Sequence, residues 1–435
     1  MNHSRFQRTA YNPIVRVTAS GLTVIIDPVP VAASCALGVW VQAGTRDEAR
    51  GRSGLAHFVE HTSFRRTRTL TTRAIAKQFE DVGAYANAFT TKEETCYYAR
   101  TLSEHLPRVL ETLSEVVMQP LFKAPDVEKE RSIITEEIRA YEDEPEEFVF
   151  DAAERQLFGN HPLGMPILGT LSSVDKISEE DLHTFHNERY IPSKMAVCIS
   201  GEVDAEEFMR LVEDTMQPLL PKAKRKNFKR TTPVPSKPNE VIIYKSVQQA
   251  HTIWQTPVPG YMAKDRHALM LLNVVLGDGM SSRLNSRIRE SRGFAYNVYS
   301  QLQLFADCGV FAIYAGIDNK HVLKAQEMIG RELDILATEG VRISELNRGK
   351  EQLRASKIMS MESLTARMNM LGKGFVEEGK PEDLFATLRD IDTVTLDQVN
   401  KAAARYCKSA KWSRYLMLPE DDRILRVTNK RIVRR

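Results

Sequence analysis

Thr170-Leu171-Ser172-Ser173-Val174-Asp175-Lys176-Ile177-Ser178 recurs in pattern as Thr387-Leu388-Arg389-Asp390-Ile391-Asp392-Thr393-Val394-Thr395, almost half a chain later. The register holds to within one residue beyond the nonapeptide. Arg189-Tyr190 is answered by Arg405-Tyr406, and each pair is followed by a strand-like apolar run, MAVCIS from Met195 and RYLML from Arg414. Two matches in register point to duplication of a module of about 210 residues. A chain of 435 residues is long for one core, so two domains are the default expectation.

The join is visible between the repeats. Five of the 19 prolines, Pro218, Pro221, Pro233, Pro235 and Pro238, lie there with the bases Lys222, Lys224, Arg225, Lys226, Lys229 and Arg230, which read as a solvated linker. The expected domains are a first module over 1–216, a linker over 217–240 and a second module over 241–435. Within each, strand candidates precede helices: LTVIID and CALGVWVQAG before the helix around His57, then VIIYK and HTIWQT before ALMLLNVVLG. That order predicts an α+β fold of two homologous modules, each a mainly antiparallel sheet covered on one face by helices.

The chemistry sits in the first module. In His57-Phe58-Val59-Glu60-His61 a helical turn of about 100° per residue puts positions 57, 60 and 61 on one polar arc, while Leu55, Phe58, Val59 and Thr62 face away. Two imidazoles at i and i+4 are close enough to share one metal ion. A second helix is expected over Asp126 to Asp143, with Val127, Ile133, Ile134 and Ile138 for packing. Glu130 and Glu137, seven residues apart, share one face of it, and Glu136 is turned away. Glu137 is therefore the expected third ligand and Glu130 a supporting group behind the site. Three protein ligands and an open vertex define a catalytic zinc, one Zn2+ per chain. Glu60 is placed to act as general base, which implies attack of a zinc-activated water on a peptide carbonyl.

The order HxxEH with a distant glutamate resembles the inverzincin signature of the pitrilysin family of zinc metallopeptidases. The likeness extends to SGLAHFVEHTSFRRT, GAYANAFTTKEETCYYAR, EKERSIITEEIRAYEDEP and GDGMSSRLNSRIRESRGFAYNVYS, in the family's order and spacing, and to the family's short-chain, mitochondrial-processing-peptidase-like kind. It implies that His57, His61 and Glu137 bind zinc, that Glu60 is the base and that Glu130 supports them. It also implies that Arg289 and Tyr296 in the second module hold substrate near the metal. The run AYANAFT and the alternation of TCYYAR read as an edge strand able to pair with an extended peptide, which the resemblance also implies. Asn87, Ala88, Phe89 and Thr90 are the expected substrate contacts. Such a chain forms half of a closed chamber, so a homodimer is implied, with a heterodimer containing an inactive relative as the alternative. The expected activity is endopeptidase action on unfolded or presequence-like peptides. The alternatives are a processing subunit dedicated to one precursor and a non-catalytic scaffold subunit.

Other features narrow the field. Hydrophobic residues make up 42% and no apolar run approaches the roughly 20 residues of a membrane helix, so no span is expected. The formal net charge of only +3 gives no electrostatic support for nucleic-acid binding. Five scattered cysteines, odd in number and without CxxC spacing, predict buried thiols. The strand pattern starts by about Ile14, which leaves little room for a presequence, and a cytoplasmic location is expected. His183 and His186 form an HxxH pair beside Asp181 but lack further ligands, and are expected on the surface. His161 in GNHPLG is expected to serve a turn, and LGDGMSS lacks the glycine and lysine pattern of a nucleotide loop.

Overall fold

The computed structural model describes residues 11–220 and 230–420. Strands β1 (Ile14–Val17), β2 (Thr23–Pro28), β3 (Ser34–Val41), β4 (Tyr85–Thr90), β5 (Thr95–Leu102) and β6 (Met195–Gly201) form one sheet in the order β1-β2-β6-β3-β5-β4. A second sheet contains β7 (Glu240–Lys245), β8 (Ala250–Val258), β9 (Ala295–Leu304), β10 (Gly309–Ile317) and β11 (Ser413–Pro419), in the order β7-β11-β8-β10-β9. The orders superpose once β1 is set aside. In each sheet the last strand of the module runs parallel to its first strand, β6 beside β2 and β11 beside β7, and the other pairings are antiparallel. The duplication seen in the sequence is thus a duplication of topology.

The helices are α1 (Leu55–Ser63), α2 (Thr72–Glu80), α3 (Leu106–Met118), α4 (Ala124–Asp143), α5 (Pro145–Phe158), α6 (Leu171–Val174), α7 (Glu179–Arg189), α8 (Ala205–Thr215), α9 (Arg266–Leu276), α10 (Val322–Glu339), α11 (Ile343–Ser360), α12 (Leu364–Glu378), α13 (Leu384–Thr393) and α14 (Leu396–Tyr406). The echoed nonapeptides end on the N-caps of α7 and α14. Ser178 and Asp181 form a reciprocal capping box at one, Thr395 and Gln398 at the other, each satisfying two helix-end or cap donors. Their first residues diverge: Thr170 caps α6, whereas Thr387 is buried within α13.

Two compact units result, each drawing on three stretches of chain. Unit 1 comprises 1–139, 165–231 and 356–387, and unit 2 comprises 140–164, 232–355 and 388–435. Unit 1 therefore holds α12, and unit 2 holds α5. This explains why β3 is buried almost end to end: helices cover one face of its sheet and α12 lies on the other. Contact there is close, with Trp40 Nε1 3.3 Å from Met368 Sδ. It is also locked by charge, because buried Arg367 on α12 donates to both oxygens of buried Asp27 on β2, at 2.6 and 2.7 Å. In unit 2 the apolar face of α5 (Val149, Ala153, Leu157) packs with Ile253 and Ala312 of the second sheet.

All five cysteines are buried and free. No helix among the described residues is long and apolar enough to cross a membrane. Lys222, Lys224, Arg225, Lys226 and Lys229 lie outside the described residues. Arg230 does not behave as a solvated linker residue: it donates to both carboxylate oxygens of Asp47 and lies 3.2 Å from Glu93. His186 also departs from expectation. It is buried, Nε2–H donates to the Val117 carbonyl at 2.7 Å, and its ring stacks on Tyr190 at 4.3 Å. The apolar side of α7, set by Leu182, Phe185 and the 3.6-residue repeat, carries His186 inward while His183 stays exposed. His161 does serve its turn, accepting the Leu163 N–H.

Candidate metal centre

The site begins with how α1 is entered. Gly54 adopts φ +91°, and a Cβ there would meet the Leu168 carbonyl oxygen at 2.6 Å, so glycine is required on both counts. The Glu48 carboxylate accepts the N–H groups of Gly54 and Ala56 at 3.1 and 2.8 Å, satisfying donors that the helix start leaves open. Leu55, Ala56, Phe58 and Val59 are buried in the unit 1 core. That anchoring turns His57 and His61 toward α4 and Glu60 toward β4. On α4, Val127, Ile134 and Ile138 enter the same core. Ile133 does not: it is 40% exposed, because Ile134 and Ile138 already fill the inward stripe and Ile133 falls a full 100° off it.

Glu137 Oε2 lies 3.9 Å from His57 Nε2 and 3.6 Å from His61 Nε2, and one donor atom from each of the three side chains lies within 4.8 Å of the others. Among the described residues this is the one group of three or more His, Cys, Asp or Glu side chains arranged to hold a metal ion. Donors about 2.0–2.1 Å from a tetrahedral ion are about 3.3 Å apart, so a small contraction closes the set on zinc. Glu137 Oε2 is buried and has no hydrogen-bond partner, an arrangement that a cation between it and the two imidazoles resolves. Burial, then the neighbouring His61, pushes His57 down to about 3, which keeps its ring in the neutral form that metals need.

The support is asymmetric. His61 Nδ1–H donates to Glu130 Oε2 at 3.0 Å, and the other oxygen of Glu130 takes the Arg65 Nε–H. Glu130 is 2% exposed and so holds His61 with Nε2 free to face Glu137. His57 Nδ1 has no such partner and is held by packing. Glu60, also buried, accepts the Thr90 hydroxyl at 2.5 Å, and burial raises its pKa against the lowering effect of that bond.

Thr90 ends β4, which lies at the edge of its sheet. The pleat divides the four expected substrate residues. Ala88 and Thr90 face α1, while Phe89 turns to the opposite face and packs edge-on against Trp40, centroids 5.6 Å apart. Asn87 is exposed and donates to the Tyr85 hydroxyl. Arg289 and Tyr296 belong to unit 2: Arg289 lies in a π-helical turn, Asn285–Glu290, and Tyr296, 83% exposed, lies in the edge strand β9. Sequence reasoning missed Glu48, Arg65 and the contact of Thr90 with Glu60. Arg65 had a usable signal, since it follows His61 by four residues and so faces the same neighbour.

Residues 23–171 match the family Insulinase (Peptidase family M16), and residues 176–353 match the Peptidase M16 inactive domain. An uncharacterized zinc protease of Mycobacterium tuberculosis is 36% identical over 401 residues, 92% of this chain and 91% of the relative. One of Bacillus subtilis is 32% identical over 385 residues, covering 88% and 93%. Among solved structures, a protease from Helicobacter pylori aligns with a TM-score of 0.87 at 22% identity, covering 94% of this chain and all of that one. The chain belongs to peptidase family M16, the pitrilysin-like zinc proteases, in their bacterial short form.

Proposed function

We propose that this chain is a zinc-dependent endopeptidase acting on extended peptides, with one zinc held by His57, His61 and Glu137. The observation that carries the reading is the buried, unpartnered Glu137 oxygen facing two imidazole nitrogens with Glu60 beside them. When bound, zinc supplies a Lewis acid that polarises the scissile carbonyl and acidifies a water. Glu60 takes the proton of the attacking water and delivers it to the leaving amine. Glu130 keeps His61 oriented, and the outer edge of β4 offers main-chain groups to the peptide along Asn87 to Thr90. Arg289 and Tyr296 hold substrate from the second module, in a chamber completed by a second copy of the chain.

Turnover of a mixed peptide library by wild type and Glu60→Gln, with zinc content measured on both, tests this. Glu60→Gln should keep its zinc and lose about 10²–10⁴-fold in kcat. Undiminished turnover would remove Glu60 from the mechanism.

A further inference from the structure

We infer that Thr90 is a positioning residue for the reaction, its hydroxyl fixing the carboxylate of Glu60 from the strand on which the peptide lies. The inference rests on the peptidase reading above and gives the last residue of β4 a task other than touching substrate.

Three observations carry it. The Thr90 hydroxyl donates to Glu60 Oε2, and a hydroxyl bonded to an ionised carboxylate makes a charge-assisted bond, about twice as strong as a neutral one. The bond occupies one oxygen of Glu60 and leaves Oε1 to meet a water, so it selects the oxygen that takes the proton. Second, a β-branched side chain on a strand has restricted χ1 freedom, so the hydroxyl is preset. The small Ala86 and Ala88 on the same face of β4 let the strand approach α1. Third, the turn that follows Thr90 is fastened by buried charge. Glu93 pairs with Arg46 at 2.6 Å, both side chains almost fully buried, and with Arg230. Lys92 Nζ donates to the Met165 carbonyl at 2.6 Å, and Thr91 N–H to the Glu94 carbonyl at 2.8 Å. A hairpin end held at that many points keeps the hydroxyl where Glu60 needs it. The main chain of the same residue lies on the edge that would pair with substrate, so a peptide seated on β4 and the base are separated by one side chain.

The test is a double-mutant cycle. Thr90→Val preserves shape and removes the donor, Thr90→Ser preserves the donor, and each is combined with Glu60→Gln. Loss of one hydrogen bond to a charged group predicts that Thr90→Val lowers kcat about 10- to 100-fold. KM should stay within about twofold and zinc content unchanged, and Thr90→Ser should recover most of the loss. In the Glu60→Gln background Thr90→Val should cost nothing further, because the group it acts through is gone. Peptide affinity, measured directly on the inactive Glu60→Gln protein, should likewise not change on adding Thr90→Val. Full kcat in Thr90→Val, losses that multiply in the double variant, or weakened peptide affinity would overturn the inference. A Glu60→Gln protein with full turnover would instead overturn the peptidase mechanism, so the two failures are distinct.

Discussion

Replacing Glu130 by glutamine should weaken zinc binding without removing a ligand. Glu130 is 2% exposed and serves two donors, His61 Nδ1–H at 3.0 Å and Arg65 Nε–H. Glutamine offers a single acceptor oxygen, so one of those donors then faces an NH₂ group and goes unpaired. If that donor is His61, the ring loses the bond that directs Nε2 toward Glu137. Removing a partner that orients a ligating histidine costs about 10- to 100-fold in metal affinity, or about 1.4–2.7 kcal/mol. This agrees with about 1.5–3 kcal/mol for a hydrogen bond to a charged group. Competition against a chromogenic chelator reads the affinity. Turnover at saturating zinc should recover to within several-fold of wild type, because Glu60, His57 and Glu137 are untouched. A zinc Kd within threefold of wild type in both Glu130→Gln and Glu130→Leu, the second of which leaves His61 no acceptor, would refute the idea that Glu130 controls His61. Turnover lost even at saturating zinc would show instead that Glu130 acts on the reaction.

Two further predictions concern stability. Burial pushes His186 down to about 4, despite its bond to the Val117 carbonyl. The unfolded chain therefore binds a proton that the folded chain excludes between pH about 6.5 and about 4. The stability that neutral His186 confers is complete above that window and falls by about 3 kcal/mol across it. Denaturant midpoints from pH 7 to pH 4.5 should fall less steeply in His186→Asn than in wild type, and parallel curves would refute the assignment. At Gly372 on α12 an added Cβ would lie 2.0 Å from Trp40 Cε2, so Gly372→Ala overpacks a site where helix propensity alone favours alanine by about 1 kcal/mol. A net loss of about 1–3 kcal/mol is expected in thermal unfolding, and a stabilised variant would contradict the close seating of α12 on β3.

The elements were legible wherever one local rule governed them. HxxEH could be placed on one helix face because the 3.6-residue period is local, and Glu137 could be separated from Glu136 by the same rule. The repeat pointed to a duplicated sheet because capping-box chemistry at Ser178 and Thr395 leaves a local signature. What stayed hidden needed knowledge of the far side of a contact. Nothing in TARMNMLGKGFVEE shows that α12 packs in unit 1, or in PEEFVFDAAERQLF that α5 packs in unit 2. Each is an ordinary amphipathic helix whose partner strand is distant in sequence. Arg230 looked like linker charge for the same reason, since Asp47 and Glu93 lie far upstream. His186 was misplaced because two histidines outweighed the apolar stripe of Leu182 and Phe185 on which one of them falls.

Among the described residues, the candidate metal site falls in one half of the duplicated topology, and the helix faces show what differs. The helix that follows β3 in unit 1 is α1, and the helix that follows β8 in unit 2 is α9. On α1 the arc turned from the core holds His57, Glu60 and His61. On α9 the polar positions are Arg266, His267 and Asn273, one imidazole with no carboxylate on the helix, and Ala268, Leu269, Leu271, Leu272, Val274, Val275 and Leu276 are buried. A single imidazole on that helix, with neither a second histidine nor a carboxylate beside it, does not make a ligand set. The two modules therefore share a backbone plan, and their chemical difference reduces to which residues occupy one helix face beside an equivalent sheet.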